Sequence, residues 1–322
     1  MYQGISRALV TGITGQDGFL SAKMLLTRNV KVLGFSRQFN SRIHLLEKND
    51  PSFSSFVPKR NYFSELKDEI LRFRPHLILH WAGPQPKEVE ENEVLANRFA
   101  ESSLCAIFEA ASQVRLDQEA VKIMVPGSSE FFHKDGLPKN IESNLRSDTP
   151  YARNKILIRS TTKKLSEVHG LSVFFPILYS HDSPLRDRTF LSRQIYDFFL
   201  NIQHSYETLR IGPLETMRDW SWAEEVIEIV IFQTLQNVGF KEVVVGHGRL
   251  TSIDKMIELF AKSMDLNFHY QSRVIIDSQR VRPQEILGSY PDSESKNTIL
   301  TSQPPSEWIP KYVRQARTLL SQ

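Results

Sequence analysis

Over roughly residues 1–180, short apolar bursts alternate with longer stretches whose apolar positions repeat at helical spacing. RALVTG, KVLGFS, HLILHWAG, VKIMVPGSS and LSVFFPILYS are apolar on consecutive positions, the pattern of strands covered on both faces. Between them LSAKMLLTRN, ELKDEILRF, a long stretch over 88–111 and YARNKILIRSTTKKLSEVHG read as helices. Such an alternation predicts an α/β chain, a doubly wound parallel sheet of Rossmann type. Beyond Ser180 the rhythm loosens: HDSPLRDRTF leads to a helix near 190–203, then to a turn-rich stretch ending in RDW, and EVVVG near Val243 reads as one more buried strand. The expected organisation is a dinucleotide-binding domain over 1–180, with a late contribution from about 218–247. A smaller mixed substrate-binding part over 181–322 is interleaved with it.

The chain has 14 glycines, and three of them, Gly12, Gly15 and Gly18, fall within VTGITGQDG between the first strand and the first helix. Glycine there allows a tight turn and lets backbone approach a pyrophosphate seated on the helix N-terminus. A Cβ at Gly15 is expected to stand where phosphate oxygens must come. The second strand ends in GFSRQ, offering Arg37 where an NAD-preferring site offers an acid for the ribose hydroxyls. Guanidinium charge and fork geometry suit an adenosine 2′-phosphate, so NADP is the expected cofactor, with NAD as the alternative.

TPYARNK places Tyr151 and Lys155 four apart at the start of a helix, on one face. An ammonium beside a phenol stabilises the phenolate and makes it a usable base. The pair follows PGSSEFF at a strand end, where folds of this class hold their ligands. Ser128 there can hydrogen-bond a substrate oxygen, and Glu130 adds a carboxylate on the same side.

Other classes are disfavoured by composition. A formal net charge of +3, spread along the chain, gives no nucleic-acid arm. A single cysteine, Cys105 in LCAIFEAA, permits no intrachain disulfide and reads as a packed thiol. The nine histidines form no ligand-spaced cluster, so no metal site is expected. The start lacks the apolar core of a secretory leader, and the longest greasy stretch, VIEIVIF, is too short for a bilayer, so a cytoplasmic protein is expected. Trp220 and Trp222 in DWSW read as buried anchors rather than stacking platforms.

Taken together, TGITGQDG, HWAG, SSE, YARNK, YSHDSPLRDRTFLSRQI, RDWSWAEEV and RPQEILG resemble the extended short-chain dehydrogenases/reductases. Within them the chain is most similar to the GDP-mannose 4,6-dehydratases and their sugar-nucleotide relatives, from Ala8 to about Gly288. The resemblance implies a redox-neutral dehydration of a nucleoside-diphosphate hexose. Tyr151 would take the O4 proton as hydride leaves C4, Ser128 would polarise O4, and Glu130 would take the C5 proton as the C6 hydroxyl leaves. Lys155 would hold the cofactor ribose and tune the phenol.

By position, Gly12, Thr14, Gly15, Gln16, Asp17, Gly18, Arg37, Trp81, Ala82, Gly83, His181 and Arg186 would contact the cofactor. Ser180, Arg193, Arg218, Arg282 and Glu285 would contact the substrate. The resemblance also implies a homodimer built on the helices over 88–111 and 151–170, or a homotetramer.

The chain departs from the family at Gln38, which replaces a second arginine. It also departs at Ser180, Asp182, Leu185 and Pro213, and around NYFSELKD, where the family's adenine-contacting aspartate is not evident. These positions face sugar and nucleotide, while the Ser–Glu–Tyr–Lys set survives, so the choice of sugar and base stays open. Alternatives are a C4 epimerase or 4-keto reductase of the same fold, which needs no C5 base at Glu130, and a non-catalytic NADP-binding protein.

Overall fold

The computed structural model describes residues 4–114, 120–202, 208–266, 271–280 and 286–320. The chain divides into two compact units. The first comprises Met1–Phe131, Leu145–Ile177 and Ile227–Val243, the second Phe132–Asn144, Leu178–Val226 and Val244–Gln322. The return to the first unit is thus shorter than the 218–247 expected. RDW lies on the strand Met217–Trp222, which pairs with Ser180–Asp182 and Leu250–Ser252 in the second unit and so stays there. Residues 132–144 also belong to the second unit, where Pro138–Lys139 pairs with Tyr290–Pro291, a long-range partnership that no local pattern signals.

In the first unit, β1 (Arg7–Thr11), β2 (Lys31–Phe35), β3 (Phe53–Phe56), β4 (Leu77–His80) and β5 (Lys122–Met124) lie parallel with the strand Ser172–Leu178. Their order from one side is Ser172–Leu178, β5, β4, β1, β2, β3. The direction of winding reverses at β1, and the β1 and β4 ends flank that crevice, where sheets of this kind bind ligands. The strand sequences are continuously apolar because both faces are covered: Leu9, Val10, Ile78, Leu79 and Ile123 are fully buried. The intervening helices are α1 (Gln16–Leu26), α2 (Ser41–Asn49), α3 (Tyr62–Phe73), α4 (Pro86–Glu91), α5 (Glu93–Gln113) and α6 (Pro150–His169).

The single helix expected over 88–111 is broken. Asn92 leaves the helical region (φ −154°, ψ 86°) and its side chain accepts the Leu95 N–H at 3.0 Å, ending α4 and capping α5. VKIMVPGSS is likewise interrupted after β5, where Pro126 precedes the two-residue β6 (Gly127–Ser128). Cys105 on α5 is half-buried, and burial pushes its thiol pKa up, away from reactivity.

The second unit has its own core, in which Tyr196, Phe199, Phe260, Trp308 and Tyr312 are buried. Trp220 and Trp222 join it as anchors, with Trp222 stacked on Trp308 at 5.9 Å. Among the described residues no helix is long and apolar enough to cross a membrane, and no group of three His, Cys, Asp or Glu side chains is placed to hold a metal ion.

Candidate active site

The glycine triplet does two jobs. Gly12 has φ +66°, and a Cβ there would lie 2.7 Å from the Ala82 nitrogen, so the β1 and β4 ends approach as closely as backbone allows. A Cβ at Gly18 would meet the Gly12 carbonyl at 2.4 Å, because α1 packs directly on the turn. Gly15 differs: only the Gly12 oxygen, at 3.3 Å, lies near its Cβ position, and the rest of that direction is open. Gly15 is also the N-cap of α1 and offers no capping side chain. A cradle that a Cβ would fill, set on a positive helix end, fits a dinucleotide's pyrophosphate.

The adjoining turn is held by a chain of polar contacts. Thr11 Oγ1 sits 2.8 Å from His80 Nδ1 and accepts the Ala82 N–H at 3.1 Å. Burial, seconded by the Lys155 charge, pushes the His80 pKa down to about 3, so the ring is neutral. Trp81 donates its indole N–H to Ser21 Oγ at 2.9 Å, and Ser21 donates to the Asp17 carbonyl at 2.7 Å, tying the β4 end to α1. The sequence reading had no role for His80, although it stands in HWAG.

Ser128 and Glu130 come from the end of β6 and the short 3₁₀ helix Ser129–Phe131 that follows. Gly127 is required because a Cβ would reach 2.6 Å from the Phe175 ring. The Glu130 N–H donates to Ser128 Oγ at 3.3 Å. Fully buried Phe131 anchors the turn beneath the Arg159 guanidinium, which lies 5.8 Å from its ring centroid and pairs with Glu242 at 2.6 and 3.0 Å.

This turn packs on α6. Thr149 caps that helix through the Ala152 N–H at 3.2 Å, and Pro150 takes the first position. Tyr151 and Lys155 then follow one turn apart, with the largely buried ammonium 5.4 Å from the phenol ring centroid. Asn154 donates to Asn97 at 2.7 Å, and Arg153 clasps Glu93 at 2.9 and 2.6 Å, fixing α6 against α5. The first unit therefore brings the glycine loop, Trp81–Ala82–Gly83, Ser128, Glu130, Tyr151 and Lys155 to one end of its sheet. Arg37 leaves the end of β2, pairs with Glu88 at 3.3 Å and lies over the Phe99 ring at 5.7 Å.

The remaining residues singled out from the sequence lie in the second unit. His181 is buried and donates Nδ1–H to the Tyr179 carbonyl at 2.8 Å. Arg186 donates to the His181 carbonyl at 2.9 Å, pairs with Asp182 at 3.4 Å and covers the Phe190 ring at 4.6 Å. A cleft of about 340 Å³ is lined by Arg218, Arg280, Gln194, Gln279, Thr216 and Pro213, among others. Arg218 thus reaches a cleft, whereas Ser180 and Arg193 do not line it. Arg193 is buried and tied to Asp197 at 2.8 Å, a structural pairing one helical turn apart. Arg282 and Glu285 lie outside the described residues. Arg280, missed from the sequence, donates to the Arg210 carbonyl at 2.8 Å and to Gln194 at 3.2 Å. Buried Asp219, next to Arg218, accepts N–H groups from His247, Gly248 and Arg249 at 2.7, 2.6 and 3.0 Å.

Comparison with known proteins gives the family and the fold. The chain is 27% identical over 310 residues to GDP-mannose 4,6 dehydratase 2 of Arabidopsis thaliana, covering 92% of this chain and 82% of that one. It is 24% identical over 337 residues to the GDP-mannose 4,6-dehydratase of Yersinia enterocolitica, covering 96% and 85%. Among solved structures, a UDP-N-acetylglucosamine 4-epimerase from Methanobrevibacter ruminantium superposes with a TM-score of 0.80 at 16% identity, covering 98% of each chain. A dTDP-glucose 4,6-dehydratase from Bacillus anthracis in complex with NAD superposes with 0.79 at 12% identity, covering 98% of each. These two share the fold. The sequence profile of GDP-mannose 4,6 dehydratase matches residues 9–304, and the chain belongs to that family.

Proposed function

We propose that this chain catalyses the 4,6-dehydration of a nucleoside-diphosphate hexose, with GDP-mannose the first candidate, using NADP. One observation carries the reading: the Ser128–Glu130 turn packs on the helix that presents Tyr151 and Lys155, so a carboxylate accompanies the phenol–ammonium pair. A C4 epimerase or 4-keto reductase has no task for that acid.

In this reading Tyr151 takes the proton from O4, with the Lys155 ammonium favouring the phenolate and Ser128 hydrogen-bonding the same oxygen. NADP held by this unit would supply the acceptor for the C4 hydride and the donor of the same hydride to C6, so no external reductant would be consumed. Once C4 is a carbonyl the C5 hydrogen is acidic; Glu130 takes it as a proton and delivers it to the departing C6 hydroxyl, which leaves as water, and the return of hydride to C6 is completed by a solvent proton at C5, balanced by the O4 proton that Tyr151 releases to solvent. Gly12, Thr14, Gly15, Gln16, Asp17 and Gly18 would hold the pyrophosphate of the cofactor, and Trp81, Ala82 and Gly83 would contact it as well. In the second unit Arg218 and Arg280 suit the sugar nucleotide's diphosphate, by guanidinium fork geometry. Helices α5 and α6 pack on each other, and a homodimer would be built on this pair.

The test is incubation of purified protein with GDP-mannose and other nucleoside-diphosphate hexoses, without added reductant, followed by mass detection of a 4-keto-6-deoxy product. Glu130→Gln is expected to lose turnover by about 10²-fold or more, the scale of general base catalysis. Near-normal turnover in that variant, or product formation only with stoichiometric NADPH, rejects the assignment.

A further inference from the structure

Asn154 stands between Tyr151 and Lys155 in the sequence, is fully buried, and turns toward α5, where its amide donates to Asn97 Oδ1 at 2.7 Å. Its own Oδ1 is buried and has no hydrogen-bond partner among the described residues. A buried amide oxygen in that state costs stability, and asparagine is a poor helix former. One turn further along the same face of α6 stands Ile158, also buried. An apolar side chain at 154 would continue that pattern without the cost.

The pair is the part of the α5–α6 contact that distinguishes one register from another. The Arg153–Glu93 clasp beside it is partly exposed and screened by water, so it adds little. Other buried hydroxyls on the two helices bond back to their own helix, Ser103 to the Phe99 carbonyl at 2.7 Å and Thr162 to the Ile158 carbonyl at 2.6 Å. Those bonds survive a rotation or a slide of one helix on the other. The Asn97–Asn154 bond is lost when α6 advances by one residue, about 100° and 1.5 Å. A buried polar pair between packed helices fixes register at a cost in stability.

We propose that Asn97 and Asn154 are positioning residues: their amide pair sets the rotation and height of α6, and so where Tyr151 and Lys155 stand against the Ser128–Glu130 turn and the dinucleotide. This rests on the catalytic reading above and deepens it. A rotation of α6 by about 10° carries a phenol oxygen roughly 1 Å, and a misplacement of that size costs about a hundred-fold in rate.

Thermal melts, NADP⁺ titration calorimetry and steady-state kinetics on GDP-mannose test it with three variants. Asn97→Leu is expected to lower the melting midpoint, because it leaves the Asn154 amide wholly unpaired. Asn97→Leu/Asn154→Leu should regain the wild-type midpoint or exceed it, since both buried amides are gone. In both variants NADP⁺ affinity is expected to fall about five- to ten-fold as Lys155 moves. In both, kcat should fall about a hundred-fold with KM for the sugar nucleotide within about three-fold. Asn97→Asp keeps an accepting oxygen for the Asn154 amide and should stay within about three-fold of wild type in affinity and kcat.

Retained kcat and NADP⁺ affinity in the double variant overturn the assignment, as does the same result in Asn97→Leu if the double variant does not fold. Asn97→Asp as damaging as Asn97→Leu overturns it too, and so do losses that come with a changed oligomeric state in light scattering. Wild-type protein that turns over no nucleoside-diphosphate hexose rejects the dehydratase reading, and the NADP⁺ contrast among the variants then decides the role of the amide pair by itself.

Discussion

Thr11 Oγ1 lies 2.8 Å from His80 Nδ1, joining the ends of two neighbouring parallel strands beneath the turn that carries Trp81, Ala82 and Gly83. Burial keeps the His80 pKa near 3 against an ordinary 6.5, because the charged ring would be cut off from water. The folded state therefore resists protonation while the unfolded chain accepts it between those values. Stability is full above pH 6.5 and falls as pH drops toward 3. From pH 7 to pH 5 this one group is expected to cost about 2 kcal/mol, and His80→Gln should flatten that slope in urea unfolding at the two pH values.

The glycine loop separates folding from binding. Gly12→Ala and Gly18→Ala push a Cβ into backbone at 2.7 and 2.4 Å and are expected to destabilise by about 1–3 kcal/mol or more. Gly15→Ala meets only one oxygen at 3.3 Å, so its unfolding midpoint should move by no more than about 0.5 kcal/mol. Its NADP⁺ affinity should drop about ten-fold or more if the open direction holds phosphate oxygens. Urea melts and titration calorimetry on the three variants read the contrast directly.

Asp219 holds the segment 247–249 through three backbone N–H groups, and each of its oxygens is used. Replacing it with asparagine turns an acceptor into a donor facing an N–H. Asp219→Asn is expected to lose about 1–3 kcal/mol, seen as a lower urea midpoint at unchanged slope.

Two arginines that look alike in the sequence should behave oppositely. Arg218 lines the cleft of the second unit, so Arg218→Ala is expected to raise KM for the sugar nucleotide about ten- to a hundred-fold with little change in stability. Arg193 is buried against Asp197, and Arg193→Ala should instead lower the thermal midpoint, because it empties a buried position and leaves that carboxylate only the exposed Arg188, 3.5 Å away. Steady-state kinetics and thermal melts distinguish the two.

Local pattern was enough to place β1, α1, β2, β4 and α6, because each is announced within a few residues. Continuous apolar runs mark buried parallel strands, glycines mark the first turn, and Thr149–Pro150 opens the helix that sets Tyr151 and Lys155 on one face. The pair α2 and β3 was not legible: SRIHLLEKN and FSSF are short and polar, and they are held by their neighbours, β3 by its parallel pairing with β2. The break at Asn92 was hidden as well, since the apolar period runs on through it while the cap interrupts the backbone.

Spacing along the chain thus determined the doubly wound sheet, the glycine cradle and the one-turn separation of Tyr151 from Lys155, because those depend on backbone period and on which residues carry a Cβ. Only the tertiary structure decided that His80 is neutral, that Arg193 is tied to Asp197 while Arg280 lines a cleft, and that Asn97 and Asn154 meet between α5 and α6. Charge state, pairing and convergence depend on which distant segments exclude water together, and a chain acquires that property only when its sheet and helices close around one another.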